Sequence, residues 1–181
     1  RCAVNQTDKR AVVLRSAIRS VLAQTYQDFE IIVVDDASRD NTADVVASFD
    51  DPRISFVRHE TNMQVAEARN TGIRHSRGEY VAFLDDDDEW MQEKLARQLA
   101  AVDRRQEEIG AVYTGFSRVD IETGEILTPN RPVPDVSIRE LLRSRNVIGK
   151  SSTVMVRRAC FDEDGLFDPT IRFGEEYDMW I

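Results

Sequence analysis

Tyr80-Val81-Ala82-Phe83-Leu84-Asp85-Asp86-Asp87-Asp88 changes character in one step, from five apolar or aromatic residues to four carboxylates. The apolar half is strand-sized and does not alternate with polar residues, so it reads as a strand buried on both faces, as parallel sheets require. The acidic half leaves the sheet at the carboxyl end of that strand, where open α/β sheets hold their ligands. The same transition occurs upstream, where Phe29-Glu30-Ile31-Ile32-Val33-Val34 runs into Asp35-Asp36-Ala37-Ser38. If the two strands are parallel and close, both acidic clusters project from one edge of the sheet.

Outward from these stretches the pattern is β/α alternation. Leu14, Ile18, Val21 and Leu22 recur at helical spacing and predict a helix over 11–24 with one buried stripe. Asp40-Asn41-Thr42 offers cap chemistry for a helix to Phe49, and Asp51-Pro52 breaks the chain before a strand at 54–57. A helix over 65–74, a turn at Arg77-Gly78 and a helix over 91–105 carrying Met91, Leu95, Leu99 and Val102 complete the first part. From Ala111 the style changes. Strands are expected at 112–116 and 119–121, with Glu122-Thr123-Gly124-Glu125 as a turn after them, then a loop marked by Pro129, Pro132 and Pro134. A short helix at 138–143, a strand at 151–156 and a turn at Gly165 precede the last acidic segment. The expected fold is α/β, a Rossmann-like, mostly parallel sheet flanked by helices. Residues 1–110 form its first part, and residues 111–181 a smaller lobe of the same domain.

Composition narrows the function. The 181 residues are 41% hydrophobic and 31% charged, with five Pro and eight Gly, which is ordinary globular usage and neither collagenous nor low in complexity. Asp and Glu number 33 against 24 Lys and Arg, a formal charge of −9 that argues against nucleic-acid partners. Cys2 and Cys160 form no C-x-x-C pair, so a reducing compartment is the default. No apolar run approaches the ~18 residues of a bilayer span, and no signal peptide is recognisable. The expectation is a cytoplasmic protein, compatible with peripheral association at the inner face of the membrane. The chain opens on Arg1 rather than Met and stops at Met179-Trp180-Ile181 inside an amphipathic pattern, so a fragment cut at both ends is expected.

Adjacent carboxylates repel by up to ~4 kcal/mol per close pair at an effective dielectric of 20, so a run of four calls for solvation or neutralisation. Mg²⁺ or Mn²⁺ takes oxygen ligands and commonly shares one or two carboxylates with substrate phosphates. A calcium-binding EF-hand loop does not fit, because Met91 occupies its seventh place and no acid stands at its twelfth. Helix capping is the alternative use of the run, although two acids suffice for it. At Asp35-Asp36, turn chemistry and ligand binding stand level, with the sheet edge favouring binding.

The ordered combination of Ala17-Ile18-Arg19-Ser20-Val21-Leu22-Ala23-Gln24-Thr25-Tyr26, residues 29–38, Asn62, Ala68-Arg69-Asn70-Thr71-Gly72-Ile73, Gly78-Glu79-Tyr80 through Glu89-Trp90, and Gly174-Glu175-Glu176-Tyr177-Asp178-Met179-Trp180 resembles the family 2 inverting glycosyltransferases. The resemblance covers nearly the whole chain and implies the GT-A fold. It implies that Asp36, with Asp35 nearby, contacts the base or ribose of a nucleotide-diphosphate sugar, with a UDP-sugar as the expected donor. Thr7, Arg69, Asp85 and Asp86 join these nucleotide-sugar contacts. Asp85-Asp86-Asp87 becomes the D-x-D region holding Mn²⁺ or Mg²⁺ on the diphosphate, with Asp87 the first choice of direct ligand and Asp85 the second. Glu176, with Glu175 adjacent, takes the place of the base that deprotonates the acceptor hydroxyl of a polysaccharide, lipid or protein glycan. That implies a single displacement with inversion, in the setting of cell-envelope polysaccharide synthesis.

Three positions depart from the family pattern. Asp8 stands where an aromatic can stack on the nucleotide base, Gln64 where Asn-x-Gly is common, and Glu176 where Asp is common. Two rival readings follow from the residues. A degenerate transferase domain would bind nucleotide or a partner without turnover. A GT-A-like sugar nucleotidyltransferase would need a glycine-rich phosphate loop after the first strand, and Asn5-Gln6-Thr7-Asp8-Lys9-Arg10 has no glycine. His59 and His75 lack metal-ligand spacing and read as surface residues. Arg157-Arg158 fits a solvated face as well as a phosphate contact, and Trp90 and Trp180 fit packing as well as a sugar site.

Overall fold

The computed structural model describes residues 6–103, 109–120, 123–132, 148–171 and 173–180. The described residues open with α1 (Gln6–Leu22), whose Leu14 and Ile18 pack on Val45 and Val46 of α2 (Thr42–Ala47). Between these helices lies β1 (Ile31–Asp35), which pairs in parallel with β2 (Ile54–Arg58), Ile31 opposite Ile54 and Asp35 opposite Arg58. This β-α-β unit brings the first acidic turn to the carboxyl end of its strand, as expected. Next come α3 (Gln64–His75), β3 (Tyr80–Ala82) and α4 (Lys94–Asp103). The last of these starts three residues later than its periodicity predicts, and Met91 stays exposed ahead of it.

The remaining described elements are β4 (Ala111–Tyr113), the hairpin of β5 (Phe116–Val119) and β6 (Ile126–Asn130), β7 (Val154–Arg157), α5 (Arg158–Glu163) and α6 (Glu175–Met179). Strand β7 lies between β3 and β4 and is antiparallel to both. Its Val154, Met155 and Val156 are all buried, as a central strand covered on both faces demands. The parallel pairing is thus found at β1 and β2, while β3 is joined by a strand from the second part of the chain. That strand begins later than predicted, because Ser151–Thr153 form a 3-10 turn ahead of it. Pro129, read as loop, lies within β6 opposite Ser117, in a two-stranded sheet where each strand is an edge, the setting that tolerates proline. The helix expected at 138–143 lies outside the described residues.

The core of this second sheet is aromatic. Phe83 meets Phe161 and Phe167 edge to face, with centroids 6.2 and 5.5 Å apart, and Trp180 packs against both Phe83 and Phe167. That packing, rather than a sugar contact, is where Trp180 is found. Asn70 of α3 is buried beside it, donating to the carbonyl of Phe167 at 2.8 Å and accepting from its N–H at 2.9 Å. The loop that carries α6 is thereby fastened to α3.

Candidate active site

A cleft of about 1620 Å³ runs between β1 and β3, and among its lining residues are Asp35, Asp36, Arg69, Asp85, Asp86 and Asp87. Both acidic clusters border this space, which also runs along Ile31–Val34 and Val81–Leu84, and the two strands that they end belong to separate sheets rather than to one sheet edge. Their local chemistry differs. Asp35 is buried, its Oδ1 accepting the N–H of Ser38 and its Oδ2 lying 3.4 Å from Arg58 Nε, ion-pair distance without hydrogen-bond alignment. It shapes the turn. Asp36 reaches across to α3, where Oδ1 accepts the N–H of Met63 at 2.7 Å and Oδ2 that of Gln64 at 2.9 Å. Two of the orphan donors of that helix start are satisfied in this way.

His59, read from sequence as a surface residue, bridges Asp36 and Thr71, with Nδ1 2.8 Å from Asp36 Oδ1 and Nε2 2.9 Å from Thr71 Oγ1. Its burial comes from α3 folding over the end of β2, a tertiary contact with no signal in local spacing. His75 is exposed, as expected. Arg158 caps α3 by donating to the carbonyls of Ile73 and Ser76, a structural use rather than a phosphate contact.

Across the cleft, Arg69 is the hub. Its side chain is only 10% exposed and lies over the Phe167 ring. Nη1 donates to Glu175 Oε1 at 3.1 Å, while Nη2 donates to Glu176 Oε1 at 2.8 Å and to Asp85 Oδ1 at 3.2 Å. One guanidinium thus joins the acid loop after β3 to the first turn of α6, which Gly174 starts from a left-handed backbone (φ 86). Glu176 Oε1 also accepts from Ser151 Oγ at 2.6 Å and the Ser151 N–H at 3.3 Å.

Burial pushes the Asp85 carboxyl up from its ordinary range, Arg69 offsets part of that, and Glu176 and Asp88 add repulsion. Asp88 is paired with Lys150 at 3.4 Å, and Asp87 is exposed. Among the described residues no three His, Cys, Asp or Glu side chains gather to hold a metal by themselves. An under-neutralised Asp85 beside an exposed Asp87 instead suits a hard cation that takes its other ligands from substrate and water. Trp90 donates its indole N–H to the Ser152 carbonyl and lies under the Lys94 ammonium, so it packs behind the acid loop. Thr7 falls in the first turn of α1, outside the residues whose side chains are described. No described helix is long and apolar enough to cross a membrane.

The family model described as Glycosyl transferase family 2 matches residues 5–165. The chain is 29% identical over 170 residues to the UDP-Glc:alpha-D-GlcNAc-diphosphoundecaprenol beta-1,3-glucosyltransferase WfaP of Escherichia coli, covering 92% of this chain and 62% of that one. It spans about half the length of other curated relatives that it matches. Among solved structures, S. aureus TarS superimposes with a TM-score of 0.72 at 24% identity, covering 94% of this chain and 50% of that one. A mannosyltransferase from Pyrobaculum calidifontis, in complex with GDP-Man and Mn²⁺, does so with a TM-score of 0.65 at 21% identity, covering 89% and 45%. The α/β arrangement described above is thus the GT-A fold.

Proposed function

The chain belongs to glycosyl transferase family 2, and from that premise we propose that it transfers a sugar from a nucleotide-diphosphate sugar, a UDP-sugar in the first instance, to a hydroxyl acceptor in envelope polysaccharide synthesis. The observation that carries the proposal is the Arg69 bridge, which keeps Asp85 on the donor side and Glu176 on the acceptor side within reach of one guanidinium. The relative that uses UDP-Glc and a lipid diphosphate acceptor supports the choice of donor and setting.

In this reading Asp36 faces the ribose or base, and Arg69 faces the diphosphate. Asp85 and Asp87 would hold a Mn²⁺ or Mg²⁺ ion shared with the diphosphate, and such an ion, when bound, neutralises the charge that grows on the departing nucleoside diphosphate. Glu176 takes the proton of the acceptor hydroxyl as that oxygen attacks the anomeric carbon from the face opposite the leaving group. The C–O bond forms as the bond to the diphosphate breaks, and the configuration inverts without a covalent intermediate. The donor-side part, residues 1–110, then supplies nucleotide contacts, and residues 111–181 bring the base.

The test is turnover of a panel of UDP- and GDP-sugars with Mn²⁺, followed by mass spectrometry, with Glu176→Gln beside the parent. A positioned base contributes ~10²- to 10⁴-fold, so the variant should lose rate on that scale while binding UDP and Mn²⁺ as the parent does. Equal rates would remove Glu176 from the role of base. Nucleotide binding without turnover by the parent would favour a degenerate domain.

A further inference from the structure

Two adjacent serines ahead of β7 touch the two halves of the site separately. Ser151 has 0% exposure, and its hydroxyl and N–H both donate to Glu176 Oε1. Ser152 is also buried; its hydroxyl accepts the Asp85 N–H at 3.0 Å, and its carbonyl accepts the Trp90 indole N–H at 2.9 Å. We propose that the Ser151-Ser152 turn is the positioning element of the transfer site, Ser151 orienting Glu176 and Ser152 holding the acid loop at Asp85. The inference rests on the reading of Glu176 as base.

The turn is suited to this because it cannot shift. Thr153 donates its N–H and its hydroxyl to the Lys150 carbonyl, and its own carbonyl accepts from the Thr114 N–H and from Gln98 Nε2. Directly after it, β7 is hydrogen-bonded to a strand on each side. Consecutive Cα atoms across a trans peptide are ~3.8 Å apart, so anchors on neighbouring residues set the spacing of the two acidic groups by covalent geometry. Ser151 and Arg69 both bind Oε1, and among the described residues Oε2 of Glu176 accepts no hydrogen bond. Oε2 is thus the oxygen left to receive the acceptor proton. Serines that only filled space would not need hydroxyls aimed at two different acidic segments.

The experiment compares Ser151→Ala, Ser152→Ala, Glu176→Gln and the double variant S151A/E176Q. It reads hydrolysis of the UDP- or GDP-sugar that the parent turns over, UDP and Mn²⁺ binding by calorimetry, and thermal melting. Ser151→Ala should lower kcat about 10- to 100-fold, the scale of a misplaced reacting group, with donor KM unchanged. It should add no further loss in the Glu176→Gln background, because it acts through that carboxylate. Ser152→Ala should instead weaken nucleotide binding and raise donor KM. Parallel loss of kcat and affinity in both serine variants, tracking their melting temperatures, would overturn the proposal. So would a full additive loss in the double variant. If Ser151→Ala does not fold, Ser151→Cys, close in size and a weak donor, is read in the same assay and should show a smaller loss of kcat alone; unchanged kcat counts against the proposal. Full activity of Glu176→Gln, or no turnover of any donor by the parent, would instead defeat the underlying reading of the base.

Discussion

The His59 imidazole sits against the carboxylate of Asp36, a residue that lines the cleft, Nδ1 to Oδ1 at 2.8 Å. With the Met63 and Gln64 amides, three donors or potential donors converge on two oxygens that can accept about four bonds. One acceptor site, on Oδ2, is left for a nucleotide hydroxyl or base N–H. His59 also reaches Thr71 on α3, so the carboxylate is held against rotation from two elements. His59→Ala should therefore weaken UDP binding about tenfold, or ~1.4 kcal/mol, in calorimetry. Unchanged affinity would mean that Asp36 serves only the start of α3.

Asn70 and Phe167 exchange both of their bonds in a buried place, side-chain amide to backbone amide. Removing the side chain strands a buried N–H and a buried C=O, each costing ~1–3 kcal/mol. Asn70→Ala should lower stability by about 2–4 kcal/mol in urea unfolding. It should also loosen α6, so that Glu176-dependent turnover falls even at temperatures where the variant remains folded. Asn70→Asp keeps the acceptor but sets a second oxygen against the Phe167 carbonyl and the Glu67 carboxylate in a buried place, so it should cost at least as much as Asn70→Ala.

How much of this was legible in residues alone differs by element. Apolar runs ending in carboxylates marked β1, β3 and the two acidic turns, because burial and polarity change there within one residue. The motif around Arg69 placed it among the expected nucleotide-sugar contacts, but its burial between Asp85, Glu175 and Glu176 was not legible, since those partners lie 16, 106 and 107 residues away. His59 and Ser151 were misread or passed over for the same reason. Neither sits in a spacing that helices or strands make periodic, and each acquires its partner only when a distant element folds over it. The antiparallel place of β7 between β3 and β4 was likewise invisible, as its apolar run is compatible with either direction.

Lys94 offers a pH-dependent test away from the chemistry. Its ammonium is buried, with Gln98 Oε1 at 2.8 Å and the Trp90 ring 4.0 Å away, and burial pushes its pKa down from an ordinary 10.5 to about 7. Between those values the unfolded chain binds a proton that the folded chain does not, so stability rises with pH from about 7 towards 10.5. Below about 7 the folded state carries the buried charge and its full cost. The ring beneath returns part of it, ~1–2 kcal/mol. Lys94→Met keeps the volume and removes the charge, so it should stabilise the protein by about 1–3 kcal/mol at pH 6. The gain should shrink steadily towards pH 10 in thermal melts. A gain independent of pH would show that packing, not charge, is responsible.

Gln64 begins α3 with φ 73, in the left-handed region, at the place where family resemblance expects the glycine of Asn-x-Gly. A side chain there costs ~1–2 kcal/mol through contact of Cβ with its own backbone. The bond that matters at this residue is made by its backbone, N–H to Asp36 Oδ2, and survives any substitution other than proline. The side chain contributes only an exposed bond from Nε2 to Asn62 Oδ1. Gln64→Gly should relieve the strain at the expense of ~0.5–1 kcal/mol of added freedom in the unfolded chain. The net expectation is a gain of about 0.5–1 kcal/mol, or roughly 1–4 °C in Tm for a chain of this size, with UDP affinity unchanged. Gln64→Ala separates the causes, because it deletes the Asn62 bond and keeps the strain. It should not raise Tm. A rise in Gln64→Ala equal to that in Gln64→Gly would place the cost in the side chain and not in the backbone, and a fall in Gln64→Gly alone would mean that the left-handed turn is held without strain.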